Sequence, residues 1–250
     1  CDCVGAVDNG RKLGDLMGIL PTEMSKPKAA LSDFNWIIYG DPKVGKTTLA
    51  SGFPDVLFLA TEDGQGAKSC YRVPIASWSK FLAACNEIAS TEHKFKTIAI
   101  DTIDNLWDLC SEHMCRKLEI DHESELEWGK AYKMVKGEFF RALTRLSLLP
   151  FGLVLISHAT EIEVKTRTKK YTKSVLTFSR PDQSRLTGMA DFILFCDFGD
   201  DGKRVIHTKP DESYIAGDRT GRLPDPMPMS FKALDQAFIA AINTKETSNV

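Results

Sequence analysis

From residue 34 onward, short apolar runs alternate with longer amphipathic stretches, the pattern of a mostly parallel sheet covered by helices. The runs read as strands are "NWIIYG" (35–40), "DVLFLA" (55–60), "KTIAID" (96–101), "GLVLIS" (152–157), "DFILFCD" (191–197) and "RVIHTK" (204–209). Helical spacing places helices at 46–52, 78–90, 103–118, 125–147 and 231–242, with Ser77 as the N-cap of the second. Residues 161–178 break the rhythm. There "EIEVKTRT" and "YTKSVLTF" alternate around a Lys-Lys pair, which predicts a protruding β-hairpin or a mobile loop. The fold class expected is therefore α/β, with a basic hairpin or loop inserted into the sheet.

Composition sharpens this picture only in part. The 250 residues are 43% hydrophobic and 26% charged, which suits one α/β domain with a short appendage. Residues 1–33, punctuated by Gly10, Gly14, Gly18, Pro21 and Pro27, read as a loosely structured lead-in. Residues 34–243 read as the domain and 244–250 as a tail. The chain begins at Cys1, read as a processing or cloning remnant.

A formal net charge of −2 provides no overall field for nucleic acid, so any such contact must come from a local patch. Seven scattered cysteines fit free thiols in a reducing, cytoplasmic setting. Cys110, His113 and Cys115 fall close together, but on a helix Cys115 points away from the other two, so packed or surface thiols are expected rather than a metal site. No run reaches the roughly 20 apolar residues of a membrane span, and none near the start reads as a signal-peptide core.

The chemistry concentrates in "GDPKVGKTT", residues 40–48, between a predicted strand and a predicted helix. Gly40-x-x-x-x-Gly45-Lys46-Thr47 fits the P-loop pattern in the context that the pattern needs. Glycines let the backbone curl until several N–H groups face one point, so Gly40, Asp41, Pro42, Lys43, Val44 and Gly45 would cradle phosphates. Lys46 would neutralise them, Thr47 would ligate Mg²⁺, and Thr48 would support the loop from within the helix. Asp101 ends a strand on the same side of the sheet and is the expected second oxygen ligand of the metal. Asp104 is its rival but lies in the first turn of the next helix, where a capping acid is the simpler reading. Glu62 follows the second strand and is the candidate to orient or deprotonate water, while Asp63-Gly64 reads as a turn.

Together "YGDPKVGKTTLA", "FLATEDG", "TIAIDTIDNLWDLC", "HESELEWGKAY", "LPFGLVLISHA" and "AGDRTGRLP" resemble the RecA-like P-loop ATPases of the AAA type encoded by phages, among them single-strand annealing recombination proteins. The resemblance covers about residues 30–243. It implies a RecA-like NTPase core that binds and hydrolyses ATP with Mg²⁺ and assembles as a homo-oligomeric ring or filament. It further implies action on single-stranded DNA with phage recombination or replication proteins, in the host cytoplasm. His158 closes the fourth strand, where the resemblance implies a group that senses the γ-phosphate; RecA itself has a glutamine there. Lys209 and Arg219, with Arg222 nearby, correspond to a region whose basic residues reach a neighbour's nucleotide. ATP rather than GTP is also implied by the resemblance, since no guanine-reading Asn/Thr-Lys-x-Asp stretch occurs.

The segment after His158 carries Lys165, Arg167, Lys169, Lys170 and Lys173 around Tyr171, a composition suited to single-stranded nucleic acid through phosphate contacts and stacking. The same charges also fit a solvated hairpin tip, diluted by Glu161 and Glu163. Two functions stay open: an ATPase acting on single-stranded DNA, and a nucleotide-switched scaffold or loader with slow hydrolysis whose partner is a protein. A small-molecule kinase is disfavoured, because no lid-like run of arginines is present.

Overall fold

The computed structural model describes residue 24, residues 28–62 and residues 69–247. Cys1, Cys3, most of the expected lead-in, the Asp63-Gly64 turn and residues 248–250 of the expected tail lie outside the described residues. The strands are β1 (Asn35–Gly40), β2 (Val56–Ala60), β3 (Tyr71–Pro74), β4 (Thr97–Asp101), β5 (Gly152–Lys165), β6 (Lys170–Leu176), β7 (Phe192–Phe198), β8 (Arg204–His207), β9 (Gly217–Asp218) and β10 (Met227–Pro228). The helices are α1 (Lys46–Ala50), α2 (Trp78–Ser90), α3 (Ile103–Lys117), α4 (Lys130–Ser147), α5 (Arg180–Met189) and α6 (Phe231–Thr247).

The main sheet runs β10-β8-β7-β1-β5-β4-β2-β3. From β7 to β3 every pairing is parallel. Strands β8 and β10 extend the far side antiparallel, and β9 pairs antiparallel with β7. The fold is thus the mostly parallel α/β sheet with a hairpin insertion that the sequence predicts.

The central strands read as unbroken apolar runs because both faces are covered. Successive side chains of β1 divide between two cores. Ile37 and Tyr39 pack with Phe81 of α2, Leu106 of α3, and Phe139 and Leu143 of α4. Trp36 and Ile38 face the opposite way, toward Leu49 of α1 and Leu234 and Phe238 of α6. Trp36 stacks on Phe192 with ring centroids 4.0 Å apart, joining β1 to β7. Ser77 caps α2 as expected, accepting a hydrogen bond from the Lys80 amide.

Several boundaries differ from expectation, each for a local reason. The helix expected over 125–147 begins only at Lys130, because Gly129 sits at φ +61°, a conformation that an α-helix cannot continue through. Ahead of it lie two short 3₁₀ turns, Glu123–Glu125 and Glu127–Gly129. The first helix ends at Ala50 rather than 52 and the last strand at His207 rather than 209. Helix α6 runs on through 244–247, so these residues belong to it rather than to a tail. Helix α5 had no sequence signal because only Asp182 and Leu186 of its ten residues are buried, which is too few for an apolar stripe. Strand β3 escaped notice because it is a short, largely exposed edge strand ending in Pro74. Strand β5 does not stop at 157; it continues to Lys165 as one arm of the hairpin, paired with β6.

Candidate active site

Parallel pairing brings four strand ends to one edge of the sheet. Gly40 is level with His158 of β5 and Cys196 of β7, Asp101 with Ile156, and Ala60 with Asp101. The carboxyl end of an open parallel sheet is where ligands bind in such folds. Here the fold places Lys46, Thr47, Asp101, Glu62 and His158 there.

The loop between β1 and α1 needs glycine at its first position. A Cβ on Gly40 would lie 2.3 Å from the Cys196 carbonyl oxygen, so no other residue lets β1 and β7 stay side by side there. Lys43 and Gly45 take positive φ values of 65° and 114°, which curls the backbone between them. Val44 is buried in the core and pins the loop down, while Asp41, Pro42 and Lys43 are exposed above it. Thr48 is exposed on the first turn of α1.

Lys46 is 6% exposed, and its ammonium donates to the loop's own carbonyls, Gly40 O at 2.8 Å and Asp41 O at 2.9 Å. Burial pulls its pKa below the usual lysine value, against the pull of Cys196, Asp101, Asp104 and Glu62. A desolvated cation closed by weak carbonyl dipoles gains from the arrival of an anion. Beside it, Thr47 Oγ1 donates to Asp101 Oδ2 at 2.8 Å. Among the described residues no group of three or more His, Cys, Asp and Glu side chains could hold a metal. One hydroxyl and one carboxylate in contact nevertheless fit Mg²⁺, which keeps several waters and takes its other ligands from substrate phosphates.

Glu62 follows β2 and is held from three sides. Its Oε1 accepts from Thr102 Oγ1 at 3.0 Å and Asn105 Nδ2 at 3.2 Å, and lies 3.3 Å from His158 Nε2. Thr61 and Thr102 fix the segments that carry it. Thr61 Oγ1 donates to Thr102 O at 2.9 Å and accepts from the Thr102 amide at 2.8 Å.

Asp104 does more than cap α3, and this corrects the sequence expectation. Its carboxylate reaches across to β5, accepting from Ser157 Oγ at 3.0 Å and from the His158 amide at 3.1 Å. Burial raises its pKa, and those two hydrogen bonds oppose the rise. The His158 carbonyl meanwhile accepts from Thr177 Oγ1 of the returning chain at 3.1 Å. His158 is therefore gripped at its ring, amide and carbonyl where β5 leaves the sheet for the hairpin. Thr61, Thr102, Asn105 and Ser157 were missed because hydroxyls and amides carry no spacing signal until the strands are aligned.

The basic segment forms a hairpin whose exposed tip is Thr166–Lys169. Its charges are largely paired. Glu163 takes Lys170 at 2.6 Å and Lys165 at 3.5 Å, Glu212 takes Lys169, and Lys173 donates to Asp211 O at 3.2 Å. Lys169 also lies over the Tyr171 ring, 5.5 Å from its centroid. Arg167 stands exposed at the tip. Elsewhere, Arg219 is tied within its own chain to Asp191 at 2.9 Å, whereas the Lys209 side chain is exposed. Arg222 lies over the Phe238 ring. Cys110 and Cys115 are buried in α3, and burial pushes the Cys110 thiol up.

A Gly-Lys-Thr loop leading from a parallel strand into a helix, with a strand-ending aspartate on its threonine, defines a P-loop protein. The chain belongs to the AAA-domain family, which it matches over residues 33–220. No curated protein matches the chain. Among solved structures, that of the RadB recombinase superposes with a TM-score of 0.41 at 15% sequence identity, covering 70% of this chain and 80% of that one. A likeness at this level carries no functional inference. No described helix is long and apolar enough to cross a membrane.

Proposed function

We propose that the chain is a Mg²⁺-dependent, RecA-like ATPase that acts on single-stranded DNA in phage recombination or replication, as an oligomer. The observation that carries the ATPase reading is the contact of Thr47 with Asp101 beside a buried Lys46 that has only carbonyls to bind. Lys46 and the loop amides would hold the triphosphate, while Mg²⁺ at Thr47 and Asp101 would offset its charge. Glu62, fixed by Thr102 and Asn105, stands ready to orient or accept a proton from water. His158 touches Glu62 and opens the hairpin, so a change at the phosphate end would be felt in the arm that carries Arg167, Lys169 and Lys170. The phage setting, the DNA substrate and the oligomer rest on the motif resemblance.

One observation favours a second reading, a nucleotide-switched scaffold or loader for a protein partner. The hairpin lysines already have acidic neighbours in Glu163 and Glu212. Exposed pairs of this kind are worth little, so phosphates could displace them. ATP turnover measured with and without single-stranded DNA at low salt separates the two. Stimulation by DNA supports the first reading; turnover indifferent to DNA, with no detectable binding, supports the second.

A further inference from the structure

The antiparallel edge of the sheet brings a residue to the phosphate loop that the loop motif does not contain. Strand β7 runs parallel to β1 with Cys196 level with Gly40, and β8 returns with Arg204 paired to Phe198. Arg204 therefore lies two residues beyond the level of Gly40, on the crevice side. Its backbone is fixed there: the Met229 amide donates to the Arg204 carbonyl at 3.2 Å, and the next residue, Val205, pairs with Pro228. Its guanidinium rests on the loop. A Cβ on Gly45 would lie 3.2 Å from Arg204 Nη1 and 3.6 Å from its Cζ.

Among the described residues this guanidinium makes no hydrogen bond and no ion pair. Two of the acids close to it in the chain are engaged elsewhere. Asp197 accepts from the Phe198 amide, and Asp201 pairs with Lys203 at 2.8 Å. Two cations, Lys46 and Arg204, thus flank Gly45 with no carboxylate answering Arg204. A planar fork of N–H donors in this position matches phosphate oxygens, which it can grip through two bonds at once.

We propose that Arg204 is a second phosphate-binding cation of the site, supplied within the same chain from the far edge of the sheet. The ligand class is a nucleoside triphosphate gripped through its phosphates. This inference rests on the P-loop reading above and adds a residue to it.

Titration calorimetry of the full chain with ATP, and separately with inorganic tripolyphosphate, tests it. Arg204→Ala should weaken both ligands about tenfold. Arg204→Lys should recover part of the loss, and Lys203→Ala, on the same turn, should change neither. If Arg204→Ala lowers the melting temperature, Arg204→Gln, which keeps the stem's packing, is read in its place. Unchanged ATP affinity in the variant overturns the proposal. So does weaker ATP binding with unchanged tripolyphosphate binding, which would mean that the guanidinium stacks on the base. A wild-type chain that binds neither ligand overturns the P-loop reading itself, a result distinct from either of these.

Discussion

The phosphate-loop edge of the sheet and the hairpin that rises from it hold comparable numbers of charges but manage them in opposite ways. At the sheet edge, Lys46 and Asp101 are buried and Asp104 is half-buried, and short hydrogen bonds tie them to the loop carbonyls, to Thr47 and to Ser157 and His158 of β5 respectively. In the hairpin, Lys165, Lys169 and Lys170 are exposed and pair with their acids at the solvent-facing surface. Desolvated charges raise the cost of any wrong geometry, while screened ones can exchange partners freely. One region is built to hold a fixed shape, the other to be re-paired. His158, gripped by Glu62, Asp104 and Thr177, joins them.

This contrast is broken most severely at Gly40. Gly40→Ala puts a methyl group against the Cys196 carbonyl and should cost about 3 kcal/mol or more, or abolish soluble expression, as read by urea unfolding. Asp104 gives the next largest effect. Asp104→Ala leaves the half-buried His158 amide without its acceptor and the Ser157 hydroxyl with only the His158 carbonyl, at a cost of about 2 kcal/mol. Asp104→Asn should cost less, because the amide oxygen still accepts from His158 N–H while its NH₂ donates to Ser157 Oγ.

The two Asp104 variants also sharpen a pH effect. Because burial raises the Asp104 pKa in the folded chain, the folded state holds that proton more tightly than the unfolded one. The associated stability is complete below the ordinary aspartate value and lost as pH rises through the folded value. Asp104→Asn should remove that part of the acid-side slope in unfolding experiments from pH 3.5 upward. At the small end lie the hairpin lysines. Lys169→Ala with Lys170→Ala should move the melting temperature by less than about 2 °C. The same pair should weaken single-stranded DNA binding and flatten its salt dependence. A large loss of stability instead would mean that the hairpin pairs are structural.

What the sequence revealed divides along the same line. The strand ends were legible because each is a local signal: an apolar run closing on Gly40, on Asp101 or just before Glu62. Parallel pairing then assembled them without further information. Asp104 was read as a capping acid because its true partners, Ser157 and His158, lie more than fifty residues away and register alone brings them near. Glu212 pairing Lys169 and Arg204 resting on Gly45 are likewise contacts between distant parts of the chain. Helix α5 and strand β3 carry too few buried side chains to leave a period in the text.

The account stands on residues 40–47 holding a triphosphate through Lys46, and calorimetric titration of Lys46→Ala with Mg-ATP tests this directly. The expected result is a Kd raised at least about 100-fold, with an unfolding midpoint close to that of the wild type. A folded Lys46→Ala chain that binds Mg-ATP as tightly as the wild type would contradict it.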